Sequence, residues 1–200
     1  MNVANVKMPA RYQLLDSMPE DPPLLKVYGY QTDGSLCYVK CVPFRAENAM
    51  PYENPRAVID GIHEALGEDQ GLIEVEKGFT AAGRRFLYSV VKTLKKPDGV
   101  QYCLTMHLDY TNYAFQIQGF FDETGRTGLR DTMVYLLLSQ EGAVRITEDG
   151  IEGWCADPYD PVYKRGCLMN CSERKSFDEE FPQHPLTELR KLVTELIGLN

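Results

Sequence analysis

The chain has 200 residues, 44% of them hydrophobic and 25% charged, with a net charge of −8 at pH 7. That is the size and balance of one globular domain, 1–200, able to bury a real core. With 21 lysines and arginines against 29 acidic residues, phosphate backbones are repelled and no nucleic acid partner is expected. The apolar run at residues 134–138 is far too short to span a bilayer.

The opening MNVANVKMPARYQ shows no apolar stretch of a secretory signal, and six cysteines are too sparse for a disulfide scaffold. A cytoplasmic protein with reduced thiols is expected. After the proline-rich SMPEDPP (17–23), LLKVYGY (24–30) and SLCYVKCVPF, with 35–43 as the strand, flank QTDG. Asp33-Gly34 is a hairpin signal, so the two segments should pair. Within the second, Cys37 and Cys41 share a strand face about 13 Å apart, too far to bond each other, and read as small buried hydrophobes.

A helix is expected at 55–66. Asn54 can cap it, Pro55 suits its first turn and Gly67 ends it. Val58, Ile59, Ile62, Ala65 and Leu66 recur at helical spacing, and His63 lies beside that stripe. Four strand candidates follow: LIEVE (72–76), RRFLYSVVKTL (84–94), VQYCLTMHLDY (100–110) after a turn at PDG (97–99), and NYAFQIQGFF (112–121). Alternation from Val100 to Tyr110 is unbroken. A turn at Thr111-Asn112 puts Met106 opposite Ile117 and Tyr110 opposite Tyr113. One hairpin face is then wholly apolar and must be covered; the other carries Gln101, Cys103, Thr105, His107, Asp109, Gln116 and Gln118. A second helix is expected at about 127–140, with Leu129, Met133, Leu136 and Leu137 inward. Residues 141–185 read as irregular, and a third helix follows, with Leu186, Leu189, Leu192, Val193, Leu196 and Ile197 as its apolar stripe.

The order ββ-α-ββββ-α implies an α+β fold: a mainly antiparallel sheet of about six strands with packed helices over 20–140, then a loop-rich extension and C-terminal helix over 141–200. Through this order, with NPRAVIDGIHEAL as first helix and TGLRDTMVYLLLS as second, residues 20–140 resemble the Mog1/PsbP-like fold group; the tail departs from it. The resemblance implies a sandwich of helices on a sheet, and binding or assembly factors of larger protein machines rather than enzymes. It supplies no catalytic motif to carry over.

The chemistry-bearing residues concentrate in the tail. WCADPYDPVYKRGCLMNC (154–171) places Cys155, Cys167 and Cys171 upstream of His184, a set of three thiolates and an imidazole of the kind that holds structural zinc. Its spacing has one tight ligand pair where zinc modules usually have two, so packing cysteines are the competing reading. Asp149, Glu152, Asp157 and Asp160 suggest calcium, but no D-x-D-x-D-G loop is present, and Asp-Pro pairs build turns. Trp154, Tyr159 and Tyr163, with Lys164 and Arg165, form a candidate protein-docking set; Phe177 and Phe181 extend the aromatics, and the alternative is that such aromatics pin a long loop to its own core. Cys103 and His107 share a strand face but lie too far apart to act together. In GFFDETGRTG a helix start with Arg126 and Arg130 is a weak anion-site pattern. GRR (83–85) and KTLKK (92–96) put positive charge at the ends of one strand. No P-loop, G-x-G-x-x-G, G-x-S-x-G or H-E-x-x-H occurs. The expectation is a non-catalytic protein-binding or accessory factor whose partner is another protein. The alternatives are a small-molecule or metal-ion module, with zinc in the tail as its cofactor, and an enzyme with a polar cleft lacking any known motif.

Overall fold

The computed structural model describes residues 6–16, 18–22, 24–95, 99–148 and 150–200. Ser17 and Pro23 of the proline-rich lead-in, and Pro97 and Asp98 of the expected turn, lie outside them. Among the described residues one antiparallel sheet has seven strands: β1 (Gln13–Leu14), β2 (Lys26–Gln31), β3 (Ser35–Arg45), β4 (Gln70–Phe79), β5 (Arg85–Leu94), β6 (Val100–Asp109) and β7 (Tyr113–Glu123). Their order across the sheet is β1-β2-β3-β7-β6-β5-β4. Helix α1 (Pro55–Ala65) follows β3, α2 (Leu129–Gln140) follows β7, a two-stranded ribbon β8 (Arg145–Thr147) and β9 (Gly150–Glu152) follows α2, and α3 (Pro185–Leu199) closes the chain. The α+β expectation stands. The sheet gains β1, whose two residues are too short to show alternation, and the ribbon lies inside the stretch expected to be irregular.

Alternation places the register. Met106 pairs with Ile117 and His107 with Gln116 across β6–β7, and the Tyr110 and Tyr113 rings stack 5.2 Å apart. The apolar face of β3, β6 and β7 is fully buried, with Cys37, Val39, Leu104, Met106, Ile117 and Phe121 at 0–1% exposure. Helix α3 covers it with Leu186, Leu189, Leu192, Val193 and Leu196. Cys37 and Cys41 are core residues here. On the opposite face α1 covers only the β4 side, packing Ile59 and Leu66 on Leu72, Val75 and Leu87. Asn54 Oδ1 caps α1 by accepting from Ala57 N, 3.1 Å, with Pro55 as its first residue.

Helix α2 reverses the expected orientation. Its buried residues are Arg130, Val134 and Leu138; Leu129, Met133, Leu136 and Leu137 are 45–53% exposed. The physical reason is Arg130, which is 1% exposed. Its Nε donates to Ser172 O (2.7 Å), Nη1 to Thr187 Oγ1 (2.9 Å), and Nη2 to Arg174 O (3.1 Å) and Asp178 Oδ1 (3.0 Å). A buried guanidinium needs its donors and charge matched, and this socket matches them. Val134 and Leu138, one and two turns on, follow it inward, so the leucine-rich stripe turns out.

Candidate docking surface

Residues 154–167 form a strap along the outer edge of β4. Cys167 N donates to Gln70 O (2.8 Å). Tyr159 Oη accepts from Val75 N (2.5 Å) and donates to Val75 O (3.2 Å). Tyr163 stacks on His63 with ring centres 4.1 Å apart, and its Oη donates to His63 O (3.1 Å). Asp157 faces the His63 ring nitrogen Nε2 at 2.9 Å, while its other oxygen accepts from Tyr159 N and Asp160 N. The strap thus satisfies backbone groups of an edge strand that would otherwise template pairing with another chain. Close approach depends on glycine: a Cβ on Gly71 would lie 1.7 Å from Cys167 O, and one on Gly166 2.4 Å from Gln70 O.

Trp154, Tyr159 and Tyr163 are therefore half-buried anchors of their own loop. Trp154 packs edge-on against Tyr135, and Phe177 and Phe181 join the same cluster under α2. Of the docking set named from sequence, only Lys164 and Arg165 are exposed. Asp157 and Asp160 are spent on turn N–H groups, and Asp149 lies outside the described residues.

The four zinc candidates do not form one grouped set, although Cys155 lies within electrostatic range of Cys167 and Cys171. Among the described residues no three His, Cys, Asp or Glu side chains are placed to hold a metal ion. Cys171 is buried under α2 and its thiol donates to Gly153 O. Cys155 pairs with Asn170 in a short bridge. His184 caps α3, where Nδ1 accepts from Leu186 N (3.3 Å), and burial, with Arg130 and Arg190, pushes its pKa down to about 3. Burial pushes the thiols of Cys155, Cys167 and Cys171 up.

A buried ion pair fastens the next segment. Lys92 Nζ and Glu173 Oε2 lie 2.8 Å apart with both side chains at most 3% exposed. Glu173 also accepts from Tyr102 Oη (2.9 Å) and Asn170 N (2.7 Å). Burial opposes the Lys92 charge, but Glu173 outweighs it, so its pKa is raised.

The remaining polar candidates are also internally matched. His107 Nδ1 accepts from Met50 N (2.8 Å), and its Nε2 faces the Gln116 side-chain amide at 3.3 Å. Burial drives its pKa down to about 4. Arg84 lies over the Tyr110 ring, while Arg85 pairs with Asp109 and Glu53, Lys92 with Glu173 and Lys95 with Asp122; Lys96 of the expected basic patch lies outside the described residues. A cleft of about 670 Å³ between residues 46–54 and 82–85 holds Arg85, Glu53 and Asp109 but no histidine or cysteine. A second, of about 610 Å³, holds Glu74, Tyr88, Lys175 and Arg190. Glu74 there pairs with Lys175 (3.0 Å) and Arg190 (3.1 Å). Burial works against its charge, but Tyr88, Arg190 and Lys175 outweigh burial and its pKa is lowered. Neither cleft joins a nucleophile to a free base. Arg126 and Arg130 both line a cleft of about 400 Å³ beside Glu123 and His184, but the donors of Arg130 are spent on Ser172, Arg174, Asp178 and Thr187.

What the molecule does expose is the outer side of α2. Leu129 (47%), Met133 (53%), Leu136 (51%) and Leu137 (45%) stand at i, i+4, i+7 and i+8, one continuous stripe on a helix surface. The ribbon that follows separately exposes Ile146 (78%) and Ile151 (51%), which pair across it. Scattered exposed leucines are ordinary, whereas a gathered stripe marks a contact surface. Sequence periodicity missed it because α2 carries two stripes at helical spacing. The available signal was Arg130 in line with Val134 and Leu138. No protein-family model matches the chain, and no curated protein does either. Among the described residues no helix is long and apolar enough to cross a membrane.

Proposed function

We propose that this protein is a non-catalytic protein-binding factor that docks through the outer face of α2. The observation that carries the reading is the stripe of Leu129, Met133, Leu136 and Leu137, held outward by the buried Arg130 socket. Two further observations support it: titratable groups in the clefts are paired with one another, and the element order resembles the Mog1/PsbP-like group, whose members act chiefly as binding and assembly factors. Fold-level analogy alone is a weak warrant for function; the exposed stripe is specific to this chain. Six unpaired cysteines fit a reducing compartment such as the cytoplasm.

Leu136→Asp tests the reading. Position 136 faces solvent, so far-UV circular dichroism is retained and stability changes by under about 1 kcal/mol. Association through this face is lost. A variant that unfolds places Leu136 in the core; a folded variant that keeps every protein contact of the wild type removes α2 from the binding surface.

A further inference from the structure

We infer that the partner seated on α2 is a second copy of this chain, packed antiparallel across a twofold axis near Met133. The inference rests on the docking role of α2 and names its occupant. A twofold interface needs a self-complementary patch, and α2 supplies one. With Met133 on the axis, Leu129 of one copy meets Leu137 of the other, and Met133 meets Met133. The ends of the helix carry the second argument. Arg126 lies two residues before the N-cap Gly128, and Glu141 is the C-cap residue; both are exposed. A cation at the amino end and an anion at the carboxyl end are each on the wrong side of their own helix macrodipole. The first-turn Asp131, which would suit the dipole, is turned aside to Ser172 (2.5 Å) and Asn170 (3.2 Å). An antiparallel copy reverses this. Arg126 then lies at the partner helix's carboxyl end beside its Glu141, and Glu141 at the partner's amino end beside its Arg126, so both charges become favourable and paired. The patch is narrow, four side chains each 45–53% exposed, so a weak, reversible dimer is expected.

Sedimentation equilibrium of the full chain from about 1 to about 100 μM reads this directly. The wild type should shift from monomer to dimer across the range. Met133→Asp and Leu136→Asp, checked for unchanged circular dichroism, should raise the dissociation constant at least about tenfold. Arg126→Glu alone should weaken the dimer, and Glu141→Arg alone should do the same. The two together should bind more tightly than either single variant, because each copy again presents opposite charges, though less tightly than the wild type because the swapped charges no longer suit the partner's helix ends. A wild type monomeric throughout, a dimer indifferent to Met133→Asp and Leu136→Asp, or a double swap no better than the singles overturns the antiparallel pair. A monomer that captures a different protein through α2, lost in Leu136→Asp, overturns self-association while keeping the docking role. A monomer whose protein contacts ignore Leu136→Asp overturns both.

Discussion

Glu173 shows how much a single side chain can carry. It accepts from Lys92, Tyr102 and the Asn170 backbone while 1% exposed. Glu173→Gln leaves the Lys92 ammonium buried without its counter-charge, and the expected loss is about 3 kcal/mol or more in urea unfolding. A loss under about 1 kcal/mol would mean that water reaches the pair. His107 and His184 act in the same way through pH. Their folded pKa values of about 4 and about 3 lie below the ordinary 6.5, so the unfolded chain binds more protons and stability falls as pH drops. Their contribution is complete above pH 6.5 and is lost as pH falls toward 4 for His107 and toward 3 for His184, with a slope of up to about 1.4 kcal/mol per pH unit for each histidine. His107→Gln, which retains an acceptor for Met50 N, should flatten the stability profile between pH 6.5 and 4.5; an unchanged profile would show that His107 is protonated in the fold.

The strap and α2 are decided at the level of elements. Proline-punctuated, aromatic and cysteine-bearing, the strap looks in sequence like a docking or metal segment, yet its aromatics turn inward to tie it to α1 and β4. Its side chains meet backbone groups at Val75, His63 and Gln70, contacts between segments far apart in sequence. Gly71→Ala tests that attachment. The new Cβ collides with the Cys167 carbonyl, so the strap must lift from the β4 edge. The expected result is a destabilisation of about 1–3 kcal/mol with faster proteolysis within 158–167 and an intact sheet by circular dichroism. Equal proteolysis would show that the edge contact does not hold the strap. Helix α2 illustrates the complementary failure: its length and type were legible at 127–140, its inward face was not. Two apolar stripes offered themselves, and a buried arginine bonded to Ser172, Arg174, Asp178 and Thr187 chose between them.

For the whole molecule, the tail after 141 is integrated by polar anchors rather than by ligands gathered at one point. Thr187 and Asp178 hold Arg130, and Glu173 holds Lys92. Metal chelation should accordingly leave the thermal midpoint unchanged at neutral pH; a fall would reinstate a metal among Cys155, Cys167 and Cys171. The two faces of the sheet differ in the same global way. Helix α3, with Val6, Tyr12 and Met169, covers one, while α1 covers only the β4 side of the other, leaving Gln116, Gln118 and Thr105 partly exposed.

By itself the sequence determined the strand alternation, the hairpin registers of β6 and β7, the caps of α1 and the buried stripe of α3. These are local: period-two and helical spacing, turn residues and capping atoms act within a few positions and survive any tertiary arrangement. Only the tertiary structure decided which stripe of α2 faces out, that Trp154, Tyr159 and Tyr163 anchor their own loop, and that Cys155, Cys167, Cys171 and His184 serve separate roles. Each of those outcomes depends on a partner tens of residues away: the Arg130 socket lies 42 to 57 positions downstream and the Tyr159 anchor 84 positions upstream. No spacing rule reaches that far, because burial of a charge or a ring is settled by whatever the folded chain brings beside it.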